Sequence, residues 1–256
     1  MKIAIVTGAS SGMGRECVLQ MAEKYTALKE IWVIARREER LLELQKQVKI
    51  PLRIFAMDLT RKESWEELAQ ALLTDMPEVK ILVNASGFGK IGIFEKGNLT
   101  EETDMAALNC VGLTAVTRTV LPYMPKNSRI IQFASSASFL PQPGFAVYAA
   151  TKSYVLSFSR ALKQELKKRK ICVTAVCPGP VKTEFFDIAE ETGNKIPIYK
   201  MIVMADPVKV VEKAIADAER GKGLSIYGPV MKAFWVLTKI VPHGALLPWI
   251  RAKEEK

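Results

Sequence analysis

The chain has 256 residues, 49% of them hydrophobic and 25% charged, ordinary globular usage that excludes a disordered or collagen-like polymer. Lysine and arginine total 37 against 27 acidic residues, a net charge of +10 that suits nucleic acid, anionic membrane or a phosphorylated ligand without choosing among them. With one histidine, His243, a His-dependent triad or a multi-histidine metal site would rest on a single residue near the C-terminus.

In chain order, short apolar runs alternate with longer stretches of helical period. Ile3–Val6, Ile31–Ile34, Leu52–Ala56, Ile81–Val83, Ile130–Phe133, Cys172–Val176 and Leu224–Tyr227 read as strands. Residues 13–25, 37–48, 61–75, 101–124, 146–169 and 207–220 read as amphipathic helices between them. Strands this apolar need cover on both faces, which predicts a parallel sheet between two helix layers. Right-handed crossovers then give an α/β fold, a single doubly wound Rossmann-type sheet of about seven strands. No Pro/Gly/Ser-rich linker divides the chain. Residues 1–228 are expected to be a dinucleotide-binding catalytic domain. Residues 184–205 form its substrate loop, and 229–256 an apolar extension of the same domain. Lys232, Lys239, Pro242 and Pro248 argue against a spanning helix in that extension.

After the first strand comes Thr7-Gly8-Ala9-Ser10-Ser11-Gly12-Met13-Gly14. Its glycines permit a tight strand-to-helix turn and close approach of a ligand to the backbone. The helix that follows aims unpaired N–H groups and its positive dipole end outward, which suits a pyrophosphate. The plain alternative is a glycine-rich turn with no ligand. The second strand ends in Ala35-Arg36-Arg37 where a carboxylate would select NAD. Two guanidinium groups there favour a 2′-phosphate and hence NADP(H), unless they are solvated charges opening the next helix.

Tyr148 and Lys152 stand at i and i+4, on one face of a helix. A nearby ammonium favours the phenolate and is expected to lower the tyrosine pKa toward the range a general acid/base needs. Ser135 and Ser136 follow the strand Ile130–Phe133, at the sheet edge where doubly wound folds bind ligands.

Taken together, these residues resemble the short-chain dehydrogenase/reductase family, over Lys2 to about Tyr227. Thr7 to Gly14 match its T-G-x-x-x-G-x-G, and Tyr148 and Lys152 its Y-x-x-x-K. Asp58-Leu59 match the acidic position after the third strand that contacts adenine. Asn109 and Ser135 match the remaining members of the catalytic tetrad, and Pro178-Gly179-Pro180-Val181-Lys182-Thr183 the P-G-x-V-x-T beside the nicotinamide. The family's N-N-A-G is changed to Asn84-Ala85-Ser86-Gly87, which implies altered local bonding with binding retained. The resemblance implies hydride transfer between NADP(H) and a carbonyl or secondary alcohol. Tyr148 would carry the proton, Lys152 hold the nicotinamide ribose, Ser135 orient the carbonyl, and Asn109 hold a relay water. It also implies a homodimer or homotetramer.

Gly87 to Phe94, Phe139, Leu140, Phe145 and residues 184–205, with Met201, Met204 and Met231, are expected to line an apolar cleft. That favours a lipophilic ketone or alcohol, of the hydroxysteroid or 3-oxoacyl kind by analogy with a subgroup of the family. The other readings are a catalytically silent NADP-binding module, and a peripheral membrane protein resting residues 229–256 on anionic lipid. Nucleic-acid binding is disfavoured, because the lysines carry no reading motif. Cys17, Cys110, Cys172 and Cys177 show no C-x-x-C spacing, and Ile3–Val6 is too short for a signal-peptide core. A cytoplasmic enzyme is the expectation.

Overall fold

Along β1 (Lys2–Thr7), side chains alternate between two cores as the two-residue period of a strand requires. Ala4 and Val6 join Val18, Met21, Ile31, Val33, Leu41 and Val211 on one face. Ile3 and Ile5 join Trp32, Ile34, Leu68, Leu82, Val116 and Leu162 on the other. Both faces of the central strands are covered, so β1 and β2 are buried after their first residues. The computed structural model describes residues 1–191 and 204–250. The expectations for Met201 and the remainder of 192–203, and for the last six residues, lie outside the described residues.

β1 is followed by α1 (Gly12–Lys24), β2 (Glu30–Ala35), α2 (Glu38–Gln45), β3 (Leu52–Ala56), α3 (Lys62–Asp75) and β4 (Glu78–Asn84). The second half runs through α4 (Leu99–Ala106), α5 (Leu113–Val120), β5 (Arg129–Phe133), α6 (Ala146–Glu165), β6 (Cys172–Val176) and α7 (Phe185–Glu190). It continues with α8 (Pro207–Glu219), β7 (Leu224–Ser225), α9 (Pro229–Ile240) and α10 (His243–Leu246). The seven strands are parallel in the order β3-β2-β1-β4-β5-β6-β7, the doubly wound sheet expected. Strand order reverses between β1 and β4, and the crevice beyond their C-terminal ends is where such sheets take ligands. Thr7 spans that crevice: its Oγ1 accepts from the Ala85 N–H at 3.1 Å and the Ser86 N–H at 3.2 Å.

Two elements depart from expectation. The single helix expected over 101–124 starts earlier, where Asn98 Oδ1 accepts from the Glu101 N–H, and is broken by a π-helical turn, Ala107–Gly112. The last strand pairs only Leu224 and Ser225 with β6, because β6 ends at Val176 and leaves Ile226 no backbone partner there.

Candidate active site

Gly8 adopts a left-handed φ of 70°, and its N–H donates to the Ile34 carbonyl at 2.8 Å. A Cβ on Gly14 would stand 2.3 Å from the Gly8 carbonyl oxygen, so only glycine lets α1 begin this close to β1. At the start of α1, Ser11 makes no side-chain cap and the first turn holds no acidic residue. The first-turn N–H groups thus face a cavity of about 700 Å³ with neither a cap nor a competing carboxylate. This donor set fits a dinucleotide pyrophosphate.

Gly8, Ser10, Ser11, Gly12, Met13 and Gly14 make one wall of that cavity, as expected, and Ala85 and Ser86 lie opposite. Pro178, Gly179, Val181 and Thr183 close a third side. Arg36, Arg37, Asp58 and Leu59 gather at one end, and Ser135, Tyr148 and Lys152 at the other. Asp58 Oδ1 accepts from the backbone N–H and hydroxyl of Thr60. Burial pushes its carboxyl up, but those bonds and the charges of Arg36 and Arg61 outweigh it and leave it below the usual range.

Asn84 is a correction. It is buried beneath the sheet edge and does not line the cavity: its Nδ2 donates to Thr117 Oγ1 at 2.9 Å and to Gln132 Oε1 at 3.0 Å. Its part is to tie β4, α5 and β5 together. Asn109, inside the π-helical turn, is fully buried as well. Its Nδ2 donates to the Phe88 carbonyl at 2.9 Å and to Thr151 Oγ1 at 3.0 Å, and its Oδ1 accepts from the Phe88 N–H at 3.1 Å. Both amide hydrogens are spent on protein, so the side chain braces the 88 loop against α6.

Tyr148 is wedged between Phe145, stacked at 4.2 Å between ring centroids, and Phe185, tilted at 5.3 Å. Burial pushes its phenol up to about 12, and a hydrogen bond from Ser135 offsets only part of that rise. Lys152 Nζ lies 5.7 Å from the Tyr148 ring centroid and donates to the Phe133 carbonyl at 2.9 Å; burial pulls its ammonium down to about 8. The lowered tyrosine pKa expected from the i, i+4 pairing is therefore overturned: burial dominates at the phenol, and Lys152 is not among the groups that shift it. Ser136 also borders the cavity, but it is Ser135 that meets the phenol.

The substrate end is apolar. Phe88, Phe145, Phe185, Phe186, Met231 and Phe234 line it, so α9 covers the cleft with one face. Phe94, expected there, is 64% exposed, and Phe139 and Leu140 are packed into the core. Met204 borders a smaller adjoining recess. Sequence reasoning missed Arg40 and Glu184. Glu184 Oε2 accepts from both Nη1 and Nη2 of Arg37 at 3.1 Å, and its Oε1 pairs with Arg40. Arg40 stands in the first turn of α2, three residues after Arg37, the residue that precedes that helix.

Residues 2–193 match the short chain dehydrogenase family. The chain is a member of that family. This short-chain dehydrogenase is 33% identical over 221 residues to an NADP-dependent 3-hydroxy acid dehydrogenase of Escherichia coli strain K12, covering 82% of this chain and 86% of that one. The crystal structure of a bulky-bulky ketone specific alcohol dehydrogenase from Comamonas testosteroni superposes with a TM-score of 0.77 at 25% identity, over 100% of this chain and 97% of that one. A short-chain dehydrogenase from Sphingobium yanoikuyae, solved in complex with NADPH, shares the fold with a TM-score of 0.80 at 24% identity, over 100% and 98% of the two chains.

Proposed function

We propose that this short-chain dehydrogenase is an NADP(H)-dependent oxidoreductase that reduces the carbonyl of a bulky, apolar ketone to a secondary alcohol. One observation carries the reading: a single cavity joins the uncapped start of α1 and the Arg36–Arg37 pair to an aromatic cleft with the Tyr148 phenol at its base. NADPH, when bound, supplies the hydride for the carbonyl carbon. Tyr148 donates the proton to the carbonyl oxygen; a phenol pushed up to about 12 keeps its proton at neutral pH, as an acid must. Ser135, which lines the cavity with that phenol, holds the carbonyl oxygen as charge develops on it. Lys152 is placed by Phe133 to meet the nicotinamide ribose, and Asn109 positions α6, which carries both Tyr148 and Lys152.

The Escherichia coli relative supports NADP(H), and the Comamonas testosteroni enzyme supports a bulky ketone. Among the described residues at the substrate end, Lys152 is the one cation, a poor match for a carboxylate-bearing substrate. The four cysteines are unpaired, which supports a reducing compartment such as the cytoplasm. The test is NADPH consumption with a panel of aryl ketones, ketosteroids and 3-oxoacyl thioesters, in wild type and Tyr148→Phe. Turnover of a bulky ketone that falls at least 100-fold in the variant, with NADPH affinity within twofold, is expected; equal turnover in both proteins would overturn the reading.

A further inference from the structure

One carboxylate sits where the cofactor's own anion is expected. Glu184 borders the same end of the cavity as Arg36 and Arg37. It gives one oxygen to the Arg37 guanidinium and the other to Arg40, although it lies 147 residues from Arg37 in sequence. Arg37 Nη2 also reaches Ser10 Oγ at 3.3 Å, so it leans toward the glycine loop. The Arg40 and Arg37 guanidinium groups hold the Glu184 carboxyl below the usual carboxylate range, so it is charged at neutral pH. Arg36 is exposed at the cavity lip and makes no such pair among the described residues. Two of the three local arginines thus share one carboxylate supplied by the protein itself.

A guanidinium has a limited number of donors, and an anion that recruits Arg37 must take donors from Glu184 or approach a second negative charge. An adenosine 2′-hydroxyl makes no such demand. Building on the NADP(H) reading above, we infer that Glu184 sets the cofactor preference, competing with the 2′-phosphate for Arg37 and Arg40 and so holding NADPH affinity below what the arginines would give alone. Glu184 also leads directly into α7, whose Phe185 packs on Tyr148, so the restraint ties the adenosine end of the site to its reacting end.

The test uses the full chain and two soluble probes, 2′,5′-ADP and 5′-AMP, titrated by calorimetry, with NADPH and NADH titrated by fluorescence. For Glu184→Gln, 2′,5′-ADP and NADPH are expected to bind about three- to tenfold tighter, the range of one or two partly exposed ion pairs, while 5′-AMP and NADH stay within twofold. In an Arg37→Ala/Arg40→Ala background the same Glu184→Gln change is expected to leave 2′,5′-ADP affinity unmoved. A 2′,5′-ADP affinity that is unchanged or weaker in Glu184→Gln, or equally tightened in the double-alanine background, would overturn the role of Glu184. Wild type binding NADH more tightly than NADPH would instead overturn the cofactor reading, which the 2′,5′-ADP titration does not depend on.

Discussion

Gly89 is the floor on which the Tyr148 ring rests. A Cβ at position 89 would come within 2.7 Å of Tyr148 Cδ2 and equally close to Phe145 Cζ, the partner stacked on that ring. Both rings are packed, so neither can yield without moving the other. Gly89→Ala should therefore displace the phenol from the position in which it is proposed to protonate a carbonyl. Overpacking of this kind costs about 1–3 kcal/mol, so the variant should still fold. The expected result is a drop in kcat of about tenfold or more with NADPH affinity retained, checked by steady-state kinetics beside a thermal melt. Wild-type kcat in this variant would show that the ring has room the structure does not give it.

Lys152 should oppose stability while serving catalysis. Burial takes its ammonium from the usual 10.5 down to about 8. Between those pH values the unfolded chain binds more protons than the folded one, so stability rises with pH across the window and the full cost is carried below about 8. Lys152→Met removes that charge but leaves the Phe133 carbonyl without its donor. We expect the variant to be more stable at pH 7, on the order of 1–2 kcal/mol, and to lose the advantage by pH 10.5, with turnover abolished. Denaturant melts across that range decide it; a variant less stable than wild type at every pH contradicts the assignment.

Cofactor choice can be moved at the β2 end. Arg36 is exposed at the cavity lip and faces Asp58, the carboxylate it helps keep charged. Arg36→Asp places a carboxylate where the ribose hydroxyls of NADH would be met and a 2′-phosphate repelled. NADPH affinity should fall by about tenfold or more and NADH affinity should hold or improve, read by fluorescence titration. An unchanged ratio of the two would remove Arg36 from the selecting set.

The two faces of α9 should behave differently. Met231 and Phe234 line the cleft, and Phe234 packs on Phe139 at 6.3 Å between centroids. Val236, Leu237 and Ile240 are 45%, 44% and 74% exposed. Phe234→Ala is expected to raise KM for a bulky ketone about tenfold with little change for a small aldehyde. Replacing Val236, Leu237 and Ile240 together by serine should leave both KM values alone. Any role those three have in assembly or on lipid then shows separately, in the sedimented mass or in flotation with anionic vesicles.

The sequence by itself determined the sheet, the crossovers and the glycine loop, because those rest on short-range rules. Period-2 and period-3.6 patterns run within single elements, and Gly8, Gly12 and Gly14 fall within one short stretch where β1 leads into α1. The spacing of Tyr148 and Lys152 was equally local, and it placed both side chains in one cavity. What it did not determine was their electrostatics: the expected fall in the Tyr148 pKa became a rise, because desolvation depends on Phe145, Phe185 and Gly89, which are packed around the ring by tertiary folding. The same holds for the residues that proved to be supports. Asn84 and Asn109 turned inward because Thr117, Gln132, Phe88 and Thr151, from other elements, offered them partners. Glu184 reached Arg37 and Arg40 only because the chain after β6 crosses the crevice that opens between β1 and β4, a juxtaposition over 147 residues that no local pattern encodes.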